Sequence, residues 1–197
     1  MDSKSGTIRL YSAQRAEMID IIKRDGTCYS KRQFIGQKYR ESAQIFLTAY
    51  TWLAREGARF VPKPEKAELH YWAFTEFIAL EASYGDPVLV LDVPISDCLF
   101  FNIFDWSKIM KLEYIGENED DERKFREKIK NYGIKHASSI MLTNFYPELK
   151  REIENSWQRL FRYHNMILNG ERPITTIEAA LWQIKKDWLS DIKQFFD

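Results

Sequence analysis

The stretch PVLVLDVPISDCLFFNIFDW, residues 87–106, decides the fold. Its first eight residues are almost all aliphatic or β-branched and are bracketed by Pro87 and Pro94, the pattern of a central strand covered on both faces. CLFFN (98–102) follows as a second, shorter strand. Asp105 stands where it can cap a helix running through Trp106, Ile109 and Met110. Working back toward the start, TIRLY (7–11) reads as a short strand. Residues 13–24 then read as an amphipathic helix with Ala16, Ile19 and Ile22 at helical spacing, closed by Gly26. Lys23 and Arg24 fall in its last turn, where cations complement the exposed carbonyls.

Residues 42–56 form the strongest helical pattern. Ile45, Phe46, Ala49, Tyr50 and Leu53 make an apolar stripe, with Ser42 as the cap. LHYWAF (69–74) reads as a strand. Working forward, NEDDERKFREKIKNYG begins acidic and ends basic, as the helix dipole prefers, with Phe125, Ile129 and Tyr132 on one face and Gly133 at its end. Pro147 opens a further helix whose stripe is Leu149, Ile153, Trp157, Leu160 and Phe161. ITTIEAALWQI reads as a last strand, and KDWLSDIKQFF as a short helix or irregular extension. Strands and helices alternate irregularly, so the expectation is α+β: one domain over residues 1–197, a small mixed or antiparallel sheet packed by several amphipathic helices.

The chain has 197 residues, enough for a core that needs neither disulfides nor a metal. Cys28 and Cys98 form no framework or ligand pair, and MDSKSGTIRL has no apolar segment of a secretory signal, so the expected location is cytoplasmic, with free thiols and no membrane span. The 29 basic and 29 acidic residues cancel, but unevenly. Residues 1–66 hold 13 basic and 7 acidic residues, 67–122 hold 2 and 13, and 123–197 hold 14 and 9. Internal pairing of the acidic middle with the basic flanks is the favoured reading. Lys23, Arg24, Lys31, Arg32, Lys38 and Arg40, interleaved with Tyr29, Phe34 and Tyr39, have the composition of a nucleic-acid surface, but a solvated face over aromatic anchors is the simpler reading.

Chemical motifs are sparse. His70, His136 and His164 lack a second ligand at i+3 or i+4, so no metal is expected, and there is no GxGxxG, Walker or GxSxG motif. Trp52, Trp157 and Trp188 belong to the core by their spacing. Trp72, Trp106 and Trp182 stand beside His70, Asp105 and Gln183, where an aromatic ring could stack on a flat ligand, although packing explains such pairs as well. Glu178 is the unusual residue of the last apolar run. Facing inward it needs a donor or a function; on a half-exposed strand it simply faces water.

Five blocks together resemble a bacterial and phage family known as domain of unknown function 3841: IRLYSAQ followed by a helix and glycine, VPKPEKAELHYWAF, VLVLDVPISDCLFFNIFDW, ENSWQRLF and IEAALWQIKKDWLSDIKQF. The family's first-strand aromatic, hydroxyl and Gln are matched by Tyr11, Ser12 and Gln14. Its central Asp and Trp are matched by Asp105 and Trp106, and its Ser-Trp pair by Ser156 and Trp157. Where the family usually has Gln in the last strand, this chain has Glu178. The order of strand, polar cluster, helix, glycine, aromatic strand and late acidic strand also looks like ADP-ribosyltransferases, which bind NAD in a cleft between two small sheets. That resemblance implies Glu178 as the catalytic carboxylate, Ser12 and Gln14 holding ribose or amide groups, Trp72 stacking nicotinamide, and Tyr11, Asp105 and Trp106 completing the NAD site.

Three expectations follow: an NAD-dependent transferase acting on a macromolecule in phage and bacterial conflict; a non-catalytic module that binds a protein partner, as inhibitors and antitoxins do; and a nucleic-acid binder, which the zero net charge makes the least favoured of the three.

Overall fold

The computed structural model describes residues 6–33, 43–80, 82–171 and 178–195. Ser42, the expected cap, lies outside them, as do Phe34, Lys38, Tyr39, Arg40 and the ITTI of the last apolar run.

PVLVLDVP is strand β4, Pro87–Pro94, and it is interior to its sheet. On one side it pairs along its whole length with β1 (Thr7–Ala13), from Thr7↔Pro94 to Ala13↔Val88. On the other it pairs with β8 (Leu189–Gln194). With β3 (Tyr71–Phe74), β5 (Leu99–Phe101) and β6 (Glu178–Leu181) these make a six-stranded sheet of order β5-β6-β3-β1-β4-β8. Every pairing is antiparallel. A separate two-stranded ribbon joins β2 (Thr27–Tyr29) to β7 (Gln183–Lys185).

Two of these strands depart from the sequence reading. KDWLSDIKQFF forms a single 3-10 turn and then edge strand β8, whose side chains are mostly exposed and so carry no apolar alternation. The last apolar run is two strands, because the chain bends at Trp182 and passes from the large sheet to the ribbon.

Alternation divides the core into two layers. Leu10, Tyr71, Ala73, Leu89, Leu91, Val93, Phe100, Ala179 and Leu181 share one face of the sheet. That face packs against Ile22 of α1 (Ala16–Asp25), Tyr163 and Ile167 of α7 (Leu160–Leu168), and Cys28 and Ile184 of the ribbon. Both cysteines are buried and free, and the Tyr71 hydroxyl donates to Cys28 Sγ at 3.2 Å. The opposite face presents Leu99, Phe101, Ala180 and Trp72 to the larger layer. That layer is built from α2 (Ala43–Gly57), α3 (Ile103–Met110), α4 (Glu119–Asn131), α5 (Ala137–Met141) and α6 (Pro147–Trp157). None of the helices among the described residues is long and apolar enough to cross a membrane.

Local chemistry sets several boundaries. Gly26 closes α1 with φ 76°, its N–H donating to Ile22 O at 3.0 Å, a conformation that glycine adopts without strain. At the end of α2, a Cβ on Gly57 would lie 2.8 Å from Leu99 Cδ2, so glycine lets this helix sit close to the sheet. Asn102, not Asp105, caps α3, its side-chain oxygen accepting from Phe104 N at 2.8 Å. Asp105 lies inside the first turn, where a carboxylate favours the dipole without capping the chain. The single stripe read after Pro147 spans two helices, α6 and α7, joined by a tight turn of i to i+3 bonds at Gln158 and Arg159.

The acidic middle does meet basic residues from the flanks. Arg9 forks onto Asp92, Lys31 reaches Glu68, and Arg159 and Arg162 both hold Glu117.

Candidate functional site

The six-stranded sheet is joined unevenly at its centre. β1 and β4 share seven register pairs and β3 and β6 share four, but β1 and β3 meet in one, Tyr11↔Phe74. The sheet is therefore two three-stranded halves, β5-β6-β3 and β1-β4-β8, with a seam between them.

Glu178 opens β6 opposite Phe74 of β3 on one side and Phe101 of β5 on the other. Paired residues of an antiparallel sheet share a face. Phe101, Glu178, Phe74 and Tyr11 thus form one row across the seam, on the face that carries the larger helical layer. Glu178 is only 6% exposed. The next row holds Leu99, Ala180 and Trp72. Ala180, buried in the core of the helical layer, lies opposite Trp72, whose Nε1 donates to Tyr50 Oη at 2.9 Å. Trp72 also lies 5.2 Å from Tyr50, 5.0 Å from Trp106 and 5.9 Å from Phe101, ring centre to ring centre. It stays half-buried. On the other side of the seam Tyr11 meets the edge of Phe77 at 5.6 Å, and Phe77 stacks on Phe195.

Ser12 and Gln14 fall elsewhere. Ser12 alternates with Tyr11 and so lies on the opposite face, fully buried. Its hydroxyl donates to the Trp72 carbonyl at 2.6 Å and accepts from Gln14 Nε2 at 2.8 Å. The Ser12 hydroxyl thus bridges the two halves where the strand ladder has lapsed, with Gln14 bonded to it from the same strand end, and Ser12 does not face Glu178. Arg9, two positions before Tyr11 and on its face, is held by Asp92 through two bonds of 2.9 Å.

The family model for a domain of unknown function (DUF3841) matches residues 9–190. The chain belongs to that family. No curated protein and no solved structure matches it.

The other residues that mark this DUF3841 chain have structural work. Ser156 Oγ donates to Ile153 O at 2.6 Å and accepts from Ile115 N at 3.0 Å, while Trp157 Nε1 donates to Glu113 O at 2.7 Å. The Ser-Trp pair therefore clamps residues 113–115 onto α6. Asp105 is one residue from Trp106, but the 100° step of a helix separates them. The charges that act on Asp105 are Lys108, Glu122 and Arg162, at the corner of α3, α4 and α7. Burial raises its carboxyl above the ordinary range, against the pull of Lys108. Asp105 thus belongs to that corner, whereas Tyr11, Trp72, Trp106 and Glu178 share the seam face.

Trp182 is fully engaged in packing. Its Nε1 donates to Val61 O at 2.9 Å, one ring face lies 3.6 Å from the His70 ring, and Lys63 Nζ stands 5.9 Å from its centre. Burial, with Lys63 nearby, lowers the His70 pKa to about 3, so His70 is neutral. His164 Nδ1 accepts from Phe100 N. An open cleft of about 450 Å³ lies between α6 and Tyr114, lined by Glu148, Arg151, Asn155 and Arg159. Arg159 is already committed there to Glu117 and to Ile115 O.

Sequence reasoning missed Tyr50, Phe74 and Phe101. Tyr50 was visible as part of the α2 stripe, but its hydroxyl partner on β3 was not. Phe74 and Phe101 become neighbours of Glu178 only through strand register.

Proposed function

We propose that the seam binds the nicotinamide end of NAD and that the protein is an ADP-ribosyltransferase-like enzyme acting on a macromolecule. The observation that carries this reading is the row Phe101–Glu178–Phe74–Tyr11: a buried carboxylate between two aromatic side chains, one strand from where the two half-sheets meet. In such a transfer the bond from ribose C1′ to the nicotinamide nitrogen breaks, its electron pair leaves with nicotinamide, an acceptor nucleophile bonds C1′, and the nucleophile's proton passes to solvent. Glu178 supplies the negative charge that stabilises the cation developing at C1′, and its low exposure strengthens that interaction. The half-buried side of Trp72 and the ring of Tyr11 supply flat surfaces for a pyridinium, which an aromatic face attracts. Ser12 and Gln14 act as positioning residues that set the width of the seam from behind.

Incubating the pure protein with labelled NAD and a cell lysate tests the reading. The expected result is nicotinamide release or label transfer that falls on the order of 10²-fold or more in Glu178→Gln, with unfolding unchanged. Neither release nor binding of NAD would overturn it.

A second reading, a non-catalytic protein-binding module, is favoured by Ile78 and Phe104, which are 88% and 75% exposed. They lie just beyond β3 and β5, at the sheet end where Glu178 begins β6. A stoichiometric partner that survives Gln14→Ala and Glu178→Ala would support this reading over the first.

A further inference from the structure

The ribbon β2–β7 gathers cations that are far apart in sequence. Thr27 pairs with Lys185, and Lys186 N donates to Gly26 O at 2.8 Å, which sets Lys185 and Lys186 beside the end of α1 and its Lys23 and Arg24. Lys31 Nζ donates to Lys66 O at 3.0 Å, which adds Lys31, Arg32 and Lys66. Lys63 stands over Trp182, next to β7, and Lys185 over Trp188 at 5.0 Å.

The carboxylates here are few. Asp25 is taken by Arg24 and Glu68 by Lys31, leaving Asp20, Glu65 and Asp187 among the described residues. Among the described residues, Lys23, Arg32, Lys63, Lys66, Lys185 and Lys186 have no carboxylate within ion-pair distance, and all except the half-buried Lys185 are exposed. On the α4–α6 side Arg123, Lys124, Arg126, Lys128, Arg159 and Arg162 are paired, while Lys130, Lys150 and Arg151 have no ion pair among the described residues, so a larger share of the cations there is neutralised.

We propose that the surface over β2–β7 holds the sugar–phosphate backbone of a nucleic acid. The chain's zero net charge does not bear on this, because the field at a surface follows the local excess of unpaired cations. The composition of the surface selects this partner. A protein partner would need an apolar centre to bury. Among the described residues, the exposed large apolar ones, Ile78, Tyr84, Ile103, Phe104, Tyr132, Leu142 and Phe145, all lie in other segments. A phosphate backbone needs only cations. Two of the lysines rest on buried indoles, which limits the freedom they lose on binding. The surface is independent of the seam, so this proposal stands or falls separately from the NAD reading.

The test is fluorescence anisotropy of a short labelled single strand and a short labelled duplex, titrated with the intact protein at two salt concentrations. The expected result is a dissociation constant of about 10⁻⁴–10⁻⁶ M near physiological salt. Affinity should fall on the order of 10²-fold between roughly 50 and 200 mM salt, as about four phosphate contacts require. Combined Lys63→Glu, Lys66→Glu, Lys185→Glu and Lys186→Glu should abolish binding, while Lys130→Glu with Lys135→Glu should leave it unchanged. Because Lys63 and Lys185 pack on indoles, the milder pair Lys66→Ala and Lys186→Ala is measured as well and should reduce the salt slope by about 2. No binding at low salt, binding that the lysine variants leave intact, or equal competition by polyglutamate would each overturn the proposal.

Discussion

The two halves of the large sheet are built from the same kind of strand but finished differently. On the face that carries Glu178, β5-β6-β3 presents Phe101, Leu99, Ala180 and Trp72 to a helical layer centred on Trp157 and Phe161, which are almost completely buried. On the same face β1-β4-β8 presents the Arg9–Asp92 pair and exposed Asp191 and Lys193, with Tyr11 covered by the single ring of Phe77. On that face one half is locked by the helical core; the other mixes buried Val88 and Val90 with exposed polar side chains, and its outer strand β8 is cheaper to open. Glu178, buried between Phe101 and Phe74, lies on the middle strand of the locked half, with β3 between it and the seam.

The sharpest way to break this comparison is to remove the lock. Trp157→Ala deletes a fully buried indole and its bond to Glu113 O, and should cost about 3–5 kcal/mol in urea unfolding. A cost near zero would mean that the helical layer does not hold that half.

His70, next to Leu99 and Gly57 beneath the same half, gives the pH dependence. Its pKa is lowered from 6.5 to about 3 by burial, so it contributes stability that is present above about 6.5 and lost as pH falls toward 3. The urea midpoint should drop across that window, and His70→Phe, which keeps a ring on Trp182, should flatten the drop. Parallel acid limbs in the two proteins would contradict this.

A smaller effect is expected at the seam. Ser12→Ala leaves the Trp72 carbonyl and Gln14 without their partner and should cost about 1–3 kcal/mol, with faster amide exchange at the end of β1 than in β6. Uniform exchange in both halves would show that they do not move separately.

The smallest effect belongs to the exposed ion pair of the β1-β4-β8 half. Arg9→Ala removes an exposed ion pair and should shift the urea midpoint only slightly, less at high salt. A larger loss would mean that this half is more tightly held than its exposure suggests.

The same contrast explains what could be read from the sequence. PVLVLDVP announced β4 because a strand covered on both faces must be apolar throughout, and Gly26 and Pro147 marked helix ends by their backbone preferences. β8 was missed because an exposed edge strand has no such requirement. The break at Trp182 was missed because nothing local marks a chain that changes sheets. Asn102 and Asp105 are both capping residue types, and only the backbone shows which of them precedes the first turn. At the site, the sequence reading puts Tyr11 and Ser12 into one NAD site, although strand alternation sets them on opposite faces. The burial of Glu178 was not legible, because Phe74 and Phe101, its register neighbours, lie more than 70 residues away along the chain.

The central claim is that Glu178 acts at an NAD-binding seam, and the most direct measurement is nicotinamide release from NAD by wild-type protein and by Glu178→Gln side by side. The account predicts release by the wild type and its loss in the variant while NAD binding and unfolding stay near wild type. Equal rates in the two proteins, or a wild type that neither binds nor cleaves NAD, would contradict it.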